Sequence, residues 1–113
     1  MHDLSSTSSP TFRCTSHADG DRVVVVAHGE LDLATVPQLE RTVQELRSRG
    51  ARAVVLDLRE LGFMDSTGVR LLLQLDAESR ADGFSFAIVD RDGPVRRVLT
   101  LTGVANRLRY AEP

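Results

Sequence analysis

Lysine is missing altogether: every one of the 14 basic residues in this 113-residue chain is arginine. A Walker-A loop needs a lysine on the phosphates and Schiff-base catalysis needs a lysine amine, so neither chemistry is available. Tryptophan is absent too, and aromatic residues make up only 4%, so the core has to be aliphatic, built from Val, Leu and Ala. Cys14 is the single cysteine. It excludes an intramolecular disulfide and a thiolate metal cluster, and reads as a free buried thiol of a cytosolic protein. No apolar stretch approaches the ~20 residues of a membrane span. No arginine block stands apart from acidic residues and the net charge is −2, which argues against direct nucleic-acid binding. The first ten residues are polar and Ser-rich, with no apolar signal-peptide centre. They are expected to form a disordered tail (1–10) ahead of one domain (11–113).

What is present is a strand–helix alternation. Phe12 to His17 reads as a short edge strand, Asp19-Gly20-Asp21 as a turn, and Arg22 to His28, with its run of four valines, as a buried strand. This hairpin brings His17 and His28 into reach of one another. Gly29-Glu30-Leu31-Asp32 then leads out into a loop. A first helix starts near Thr35, where Thr35-x-x-Gln38 fits a capping box, and Val36, Leu39, Val43 and Leu46 share its apolar face. Gly50 stops it. Ala53 to Leu58 is a second buried strand, Leu61 to Met64 a short apolar connection, and a second helix runs from Ser66 to Arg80 with Gly68, Leu71, Leu72 and Leu75 on one arc. Asp76 falls inside that apolar half without an evident reason. Phe84 to Val89 is a third buried strand. Gly93-Pro94 opens a short helix carrying Val95, Val98 and Leu99, and Leu108 to Tyr110 forms a last edge strand. The order β-β-α-β-α-β-α-β predicts an α/β single domain, a mixed β-sheet with helices packed on it.

Chemistry concentrates at Asp65-Ser66-Thr67-Gly68, between a strand and a strongly apolar helix, where functional groups of α/β sheets gather. Two readings of these residues stand side by side. Asp, Ser and Thr are preferred N-caps, so the segment serves as a cap alone. Alternatively, the serine hydroxyl faces solvent at the positive end of a helix, where another enzyme reaches it and an added phosphate is tolerated.

Three ordered motifs carry a resemblance. Gly29-Glu30-Leu31-Asp32, then Asp57-Leu58-x-x-Leu61-x-Phe63-Met64-Asp65-Ser66-Thr67-Gly68, then Leu99-x-Leu101-Thr102-Gly103 closely resemble the STAS domain, nearest to the anti-sigma factor antagonists of bacteria, over Thr11 to Tyr110. The resemblance implies a STAS-like fold and no enzyme activity. It implies binding to an anti-sigma factor, a serine kinase with a histidine-kinase-like ATPase fold, which releases a sigma factor. Phosphorylation of Ser66 by that kinase ends the complex, and a PP2C-type phosphatase restores it. Asp32 matches a loop acid that meets a partner arginine. Asp32, Asp65, Ser66, Thr67, Gly68 and Arg70 are the implied partner-binding set. No cofactor, metal or membrane partner is implied, and the setting is cytoplasmic. Many relatives carry a terminal helix after the last strand. This chain stops at Ala111-Glu112-Pro113, so part of the sheet is expected to be less covered. The alternative use of the same domain is as a scaffold or regulatory subunit of a stressosome-like or transporter-associated complex.

Other classes fit less well. Ser66 is not in Gly-x-Ser-x-Gly, so a nucleophile elbow is missing. Asp57 ends a buried strand like the phosphoacceptor of a two-component receiver, but that fold needs an essential lysine. Asp57 is expected instead to hydrogen-bond the following turn.

Overall fold

The computed structural model describes residues 7–8 and 11–113. Its elements are β1 (Thr7–Ser8), β2 (Phe12–Asp19), β3 (Arg22–Leu31), α1 (Val36–Ser48), β4 (Ala53–Met64), α2 (Ser66–Asp82), β5 (Ser85–Val89), α3 (Pro94–Leu101) and a 3-10 turn at Ala105–Arg107. The strands form one mixed sheet in the order β1-β2-β3-β4-β5. β1, β2 and β3 pair antiparallel, whereas β3–β4 and β4–β5 are parallel. Parallel neighbours cannot be joined by a tight turn, and α1 and α2 supply the two crossovers. Within the expected tail, Thr7 and Ser8 pair with Cys14 and Arg13 on the edge of β2; the remainder of residues 1–10 lies outside the described residues.

Alternation along β4 sorts the sheet into two faces. Val54, Leu56 and Leu58 join Val25, Ala27, Phe86 and Ile88 in the main core, which Leu39 and Val43 of α1, Leu72 and Leu75 of α2, and Val95 and Leu99 of α3 complete. Val24, Val55 and Val89 form a smaller cluster on the other face, with Ala111 packed against it. All three valines are buried. Arg22, Arg59 and Pro113 help line the shallow groove above them.

Several elements differ from the sequence reading. Leu61 to Met64 is not a connection: β4 continues through Met64 and stays paired with an equally extended β3, as Gly29↔Leu61 and Leu31↔Met64. The register shifts between Val26 and His28 and again between Gly29 and Glu30. Such bulges break the strict alternation by which a strand is recognised. The last edge strand reduces to one parallel bridge, Ile88↔Tyr110. The capping box at Thr35 does not form either. The Thr35 side chain makes no cap bond and turns inward, accepting from the Asp32 amide at 2.9 Å and donating to the Glu30 carbonyl at 2.8 Å. His17 lies opposite Val24 and His28 opposite Arg13, so the two histidines are not cross-strand partners.

Asp76, which the sequence left without an evident reason, and several other charged residues have partners in the fold. Asp76 accepts from Arg80 Nε at 3.1 Å, while its Oδ1 is buried with no hydrogen-bond partner among the described residues. In the charged Asp90-Arg91-Asp92 loop, Asp90 pairs with Arg96 of α3 and Arg91 donates to the Arg59 carbonyl at 2.9 Å. Asp57 does not end its strand and no turn follows it: β4 runs on to Met64, and Asp57 accepts from the amide and guanidinium of Arg59 within the same strand. Burial pushes its carboxyl up, but those Arg59 contacts bring it, on balance, below the ordinary carboxylate value.

Candidate functional site

The ends of β3 and β4 run out side by side, and that pairing builds the site. Leu31 and Met64 are the last partners of the ladder. One residue further, the Asp65 amide donates to the Leu31 carbonyl at 3.2 Å. The loop carrying Asp32 and the start of α2 are therefore fastened together by main chain. Two glycines permit the close fit. Gly29 has φ +98°, and a Cβ there would stand 2.1 Å from the Thr11 carbonyl oxygen. Gly68 is buried, and a Cβ there would stand 2.7 Å from Met64 Cγ and 3.2 Å from Leu31 Cδ2. A bare Cα at Gly68 is what lets α2 rest on the last residues of both strands.

Asp65 is the N-cap of α2. Its backbone is extended, and its carboxylate accepts from the Thr67 amide at 2.9 Å and the Gly68 amide at 3.4 Å. The Thr67 hydroxyl also donates to it. That hydroxyl, with the amides of Thr67, Gly68 and Leu33, holds the Asp65 carboxyl below the ordinary carboxylate value against an upward push from burial. The involvement of the Leu33 amide ties the two loops electrostatically as well. A carboxyl lowered on folding stabilises the fold above its unfolded value, near 3.9, and loses that contribution as pH falls through the lower folded value. Asp65→Asn is therefore expected to flatten the acid limb of stability. Denaturant titrations between about pH 5 and pH 2 check this; acid limbs of equal slope would contradict it.

Asp32 plays the matching part ahead of α1. Its Oδ1 accepts from the Ala34 amide at 3.0 Å and the Thr35 amide at 3.1 Å. Ser66 stands apart from this capping apparatus: it is exposed, and its hydroxyl makes no hydrogen bond among the described residues. The two readings of Asp-Ser-Thr thus fall on different residues. Asp65 caps, Thr67 supports the cap, and Ser66 presents a free hydroxyl. Arg70, one turn further on, is exposed and without a hydrogen bond or ion pair among the described residues.

Sequence reasoning missed the apolar part of this surface. Leu33 is 75% exposed and Phe63 46% exposed. Leu33 lines a groove between α1 and α2 with Val36, Glu40, Thr67, Arg70 and Leu71. Gln74 bridges the two helices there by donating to Glu40 at 2.8 Å and Glu78 at 3.0 Å. The available signal was Leu33 itself, an apolar residue between the loop acid and the first helical turn, outside any helical period.

The STAS domain family model matches residues 13–111, and the chain belongs to that family. Within it, the similarity is to anti-sigma factor antagonists. The anti-sigma-B factor antagonist of Staphylococcus aureus is 33% identical over 87 residues, 74% of this chain and 78% of the relative. An anti-sigma factor antagonist from Mycobacterium paratuberculosis superposes with a TM-score of 0.77 at 27% identity, covering 94% of this chain and 92% of that one. The Bacillus cell fate determinant SpoIIAA in its phosphorylated form superposes with a TM-score of 0.64 at 25% identity, covering 88% and 91%. Among the described residues no helix is long and apolar enough to cross a membrane.

Proposed function

We propose that this protein is an anti-sigma factor antagonist whose docking is switched off by phosphorylation of Ser66. The observation that carries the reading is the free, exposed Ser66 hydroxyl at the head of α2, beside a rigidly built acidic loop and the exposed Leu33. Unphosphorylated, the surface formed by the Asp32 loop, Ser66 and the α1–α2 groove docks an anti-sigma factor and frees its sigma factor. That partner is a serine kinase with a histidine-kinase-like ATPase fold. It transfers the γ-phosphoryl group of ATP to Ser66 Oγ, leaving ADP, while the hydroxyl proton goes to a base of the kinase. A PP2C-type phosphatase reverses the step: water cleaves the phosphoester, giving inorganic phosphate and the serine hydroxyl. The protein acts by binding in the cytoplasm and catalyses nothing itself. That a relative has been solved in phosphorylated form supports the reading. Thr67 is a poorer acceptor than Ser66, because its hydroxyl is committed to Asp65.

The site is tested by incubating the protein with the ATPase captured on it from its native cells, adding ATP, and mapping the label by mass spectrometry. Phosphate on Ser66, lost in Ser66→Ala, is the expected result. Phosphate elsewhere, with Ser66→Ala labelled normally, would reject the assignment.

Asp32 has two separable roles. Asp32→Ala removes the acceptor for two loop amides and is expected to reduce stability by about 1 kcal/mol. Asp32→Asn keeps an acceptor and loses only the charge. If Asp32 meets a partner cation, Asp32→Asn keeps its melting temperature and loses affinity in calorimetry. Wild-type affinity for Asp32→Asn would remove the ion pair from the account.

A further inference from the structure

We propose that Arg70 clamps the phosphate once Ser66 is modified, so that phosphorylation withdraws a cation from the docking surface as well as adding an anion. The inference rests on the reading of Ser66 as phosphoacceptor, and concerns what receives the phosphate on this chain.

The first turn of α2 is already partly occupied by an anion of its own. An open helix N-terminus offers its unpaired amides and partial positive charge to an anion. Here the Asp65 carboxylate has taken two of those amides, Thr67 and Gly68, and sets its own charge against the dipole. A full negative charge therefore already sits where a phosphate adding about −1.5 to −2 would go. Glu40, which lines the adjoining groove with Thr67, is a further carboxylate that does not favour an anion there.

Arg70 is the available counter-charge. Among the described residues it is the one cation lining the groove beside Thr67. Residues i and i+4 of a helix lie on one face with Cβ atoms ~6 Å apart, and side chains lean toward the N-terminus, so Arg70 reaches back over Ser66. An anion N-terminal to a cation at this spacing is the favourable order. The planar guanidinium takes phosphate oxygens in pairs. Arg70 also has nothing to give up, being without an ion pair or hydrogen bond among the described residues. On α2 itself the other arginine is engaged, Arg80 with Asp76. Before modification Arg70 is free to face a partner; afterwards it is held by its own chain.

The test uses full-length protein carrying phosphoserine at position 66, incorporated during translation so that no kinase is needed. The second ionisation of the phosphate is followed by 31P NMR against pH. Pairing favours the dianion, so the titration of the parent protein should lie about 0.2–0.4 unit below that of Arg70→Ala. Arg70→Lys should fall between them, and the difference should shrink in about 1 M salt, as an exposed pair is screened. Superimposable titrations of the parent and Arg70→Ala would overturn the proposal. So would a difference that is unchanged in high salt, because it would not come from an exposed ion pair. Arg70 is exposed, so the alanine variant should keep the parent's far-UV spectrum. The two readings fail separately: labelling at a residue other than Ser66 leaves this titration able to decide Arg70, and coincident titrations leave labelling at Ser66 untouched.

Discussion

Gly29→Ala should destabilise the domain by about 3 kcal/mol, from left-handed backbone strain of about 1–2 kcal/mol together with a steric clash. The steric part is specific. The Thr11 carbonyl oxygen sits where the new Cβ would stand, 2.1 Å away, and that carbonyl is already fixed by the Glu30 amide at 2.8 Å. Relief requires the head of β2 to lift from β3. Phe12, the partner of Gly29 in that ladder, is 2% exposed and part of the main core, so the strand cannot lift without opening packed apolar surface. Gly20→Ala is the internal control, since Gly20 also has a positive φ, +64°, but nothing lies within 4 Å of its Cβ position. It should lose only the backbone part. Urea denaturation of the two variants checks the difference, and equal losses would show that the contact at Thr11 does not matter.

Ser66→Asp should weaken the complex with the anti-sigma factor by about 1–3 kcal/mol, roughly 5- to 150-fold in affinity. The charge it introduces lies beside Asp65 and within the acidic surroundings of Asp32 and Glu40, so it changes the field at the docking surface with little reason to refold anything. Ser66→Ala is a clean companion. Because Asp65 and not Ser66 supplies the cap, the alanine variant keeps the first turn of α2 and should bind as well as the parent. Calorimetry against the same partner preparation reads both. Equal affinity of Ser66→Asp and the parent would separate charge at this position from docking.

Much of this was legible in the sequence, for identifiable reasons. The buried strands announced themselves through runs such as Val23 to Val26 and Val54 to Leu56. The α2 boundary was marked by Asp65 before an apolar period and by Gly83 after it, which adopts the left-handed cap with φ 75°. The extension of β3 and β4 was not legible, because bulges at His28 and Glu30 carry the pairing through residues whose apolar positions do not alternate. Thr35 was misread as a cap since its identity suits one. Its hydroxyl serves instead as a buried strut between Glu30 and Asp32, a choice settled by the tertiary position of the loop. The candidate site residues were singled out by motif. Their division of labour, with Asp65 capping and Ser66 free, needed the hydrogen bonds. The exposure of Leu33 needed the packing of α1 against α2.

If one hydroxyl at the head of α2 governs docking, its modification alone should decide binding. This is tested most directly by preparing the protein with serine or with phosphoserine at position 66 and measuring each against the anti-sigma factor from its own cells. The account predicts a complex with the unmodified protein, its loss with the phosphorylated one, and its return after phosphatase treatment. Binding of both forms with one affinity would contradict it.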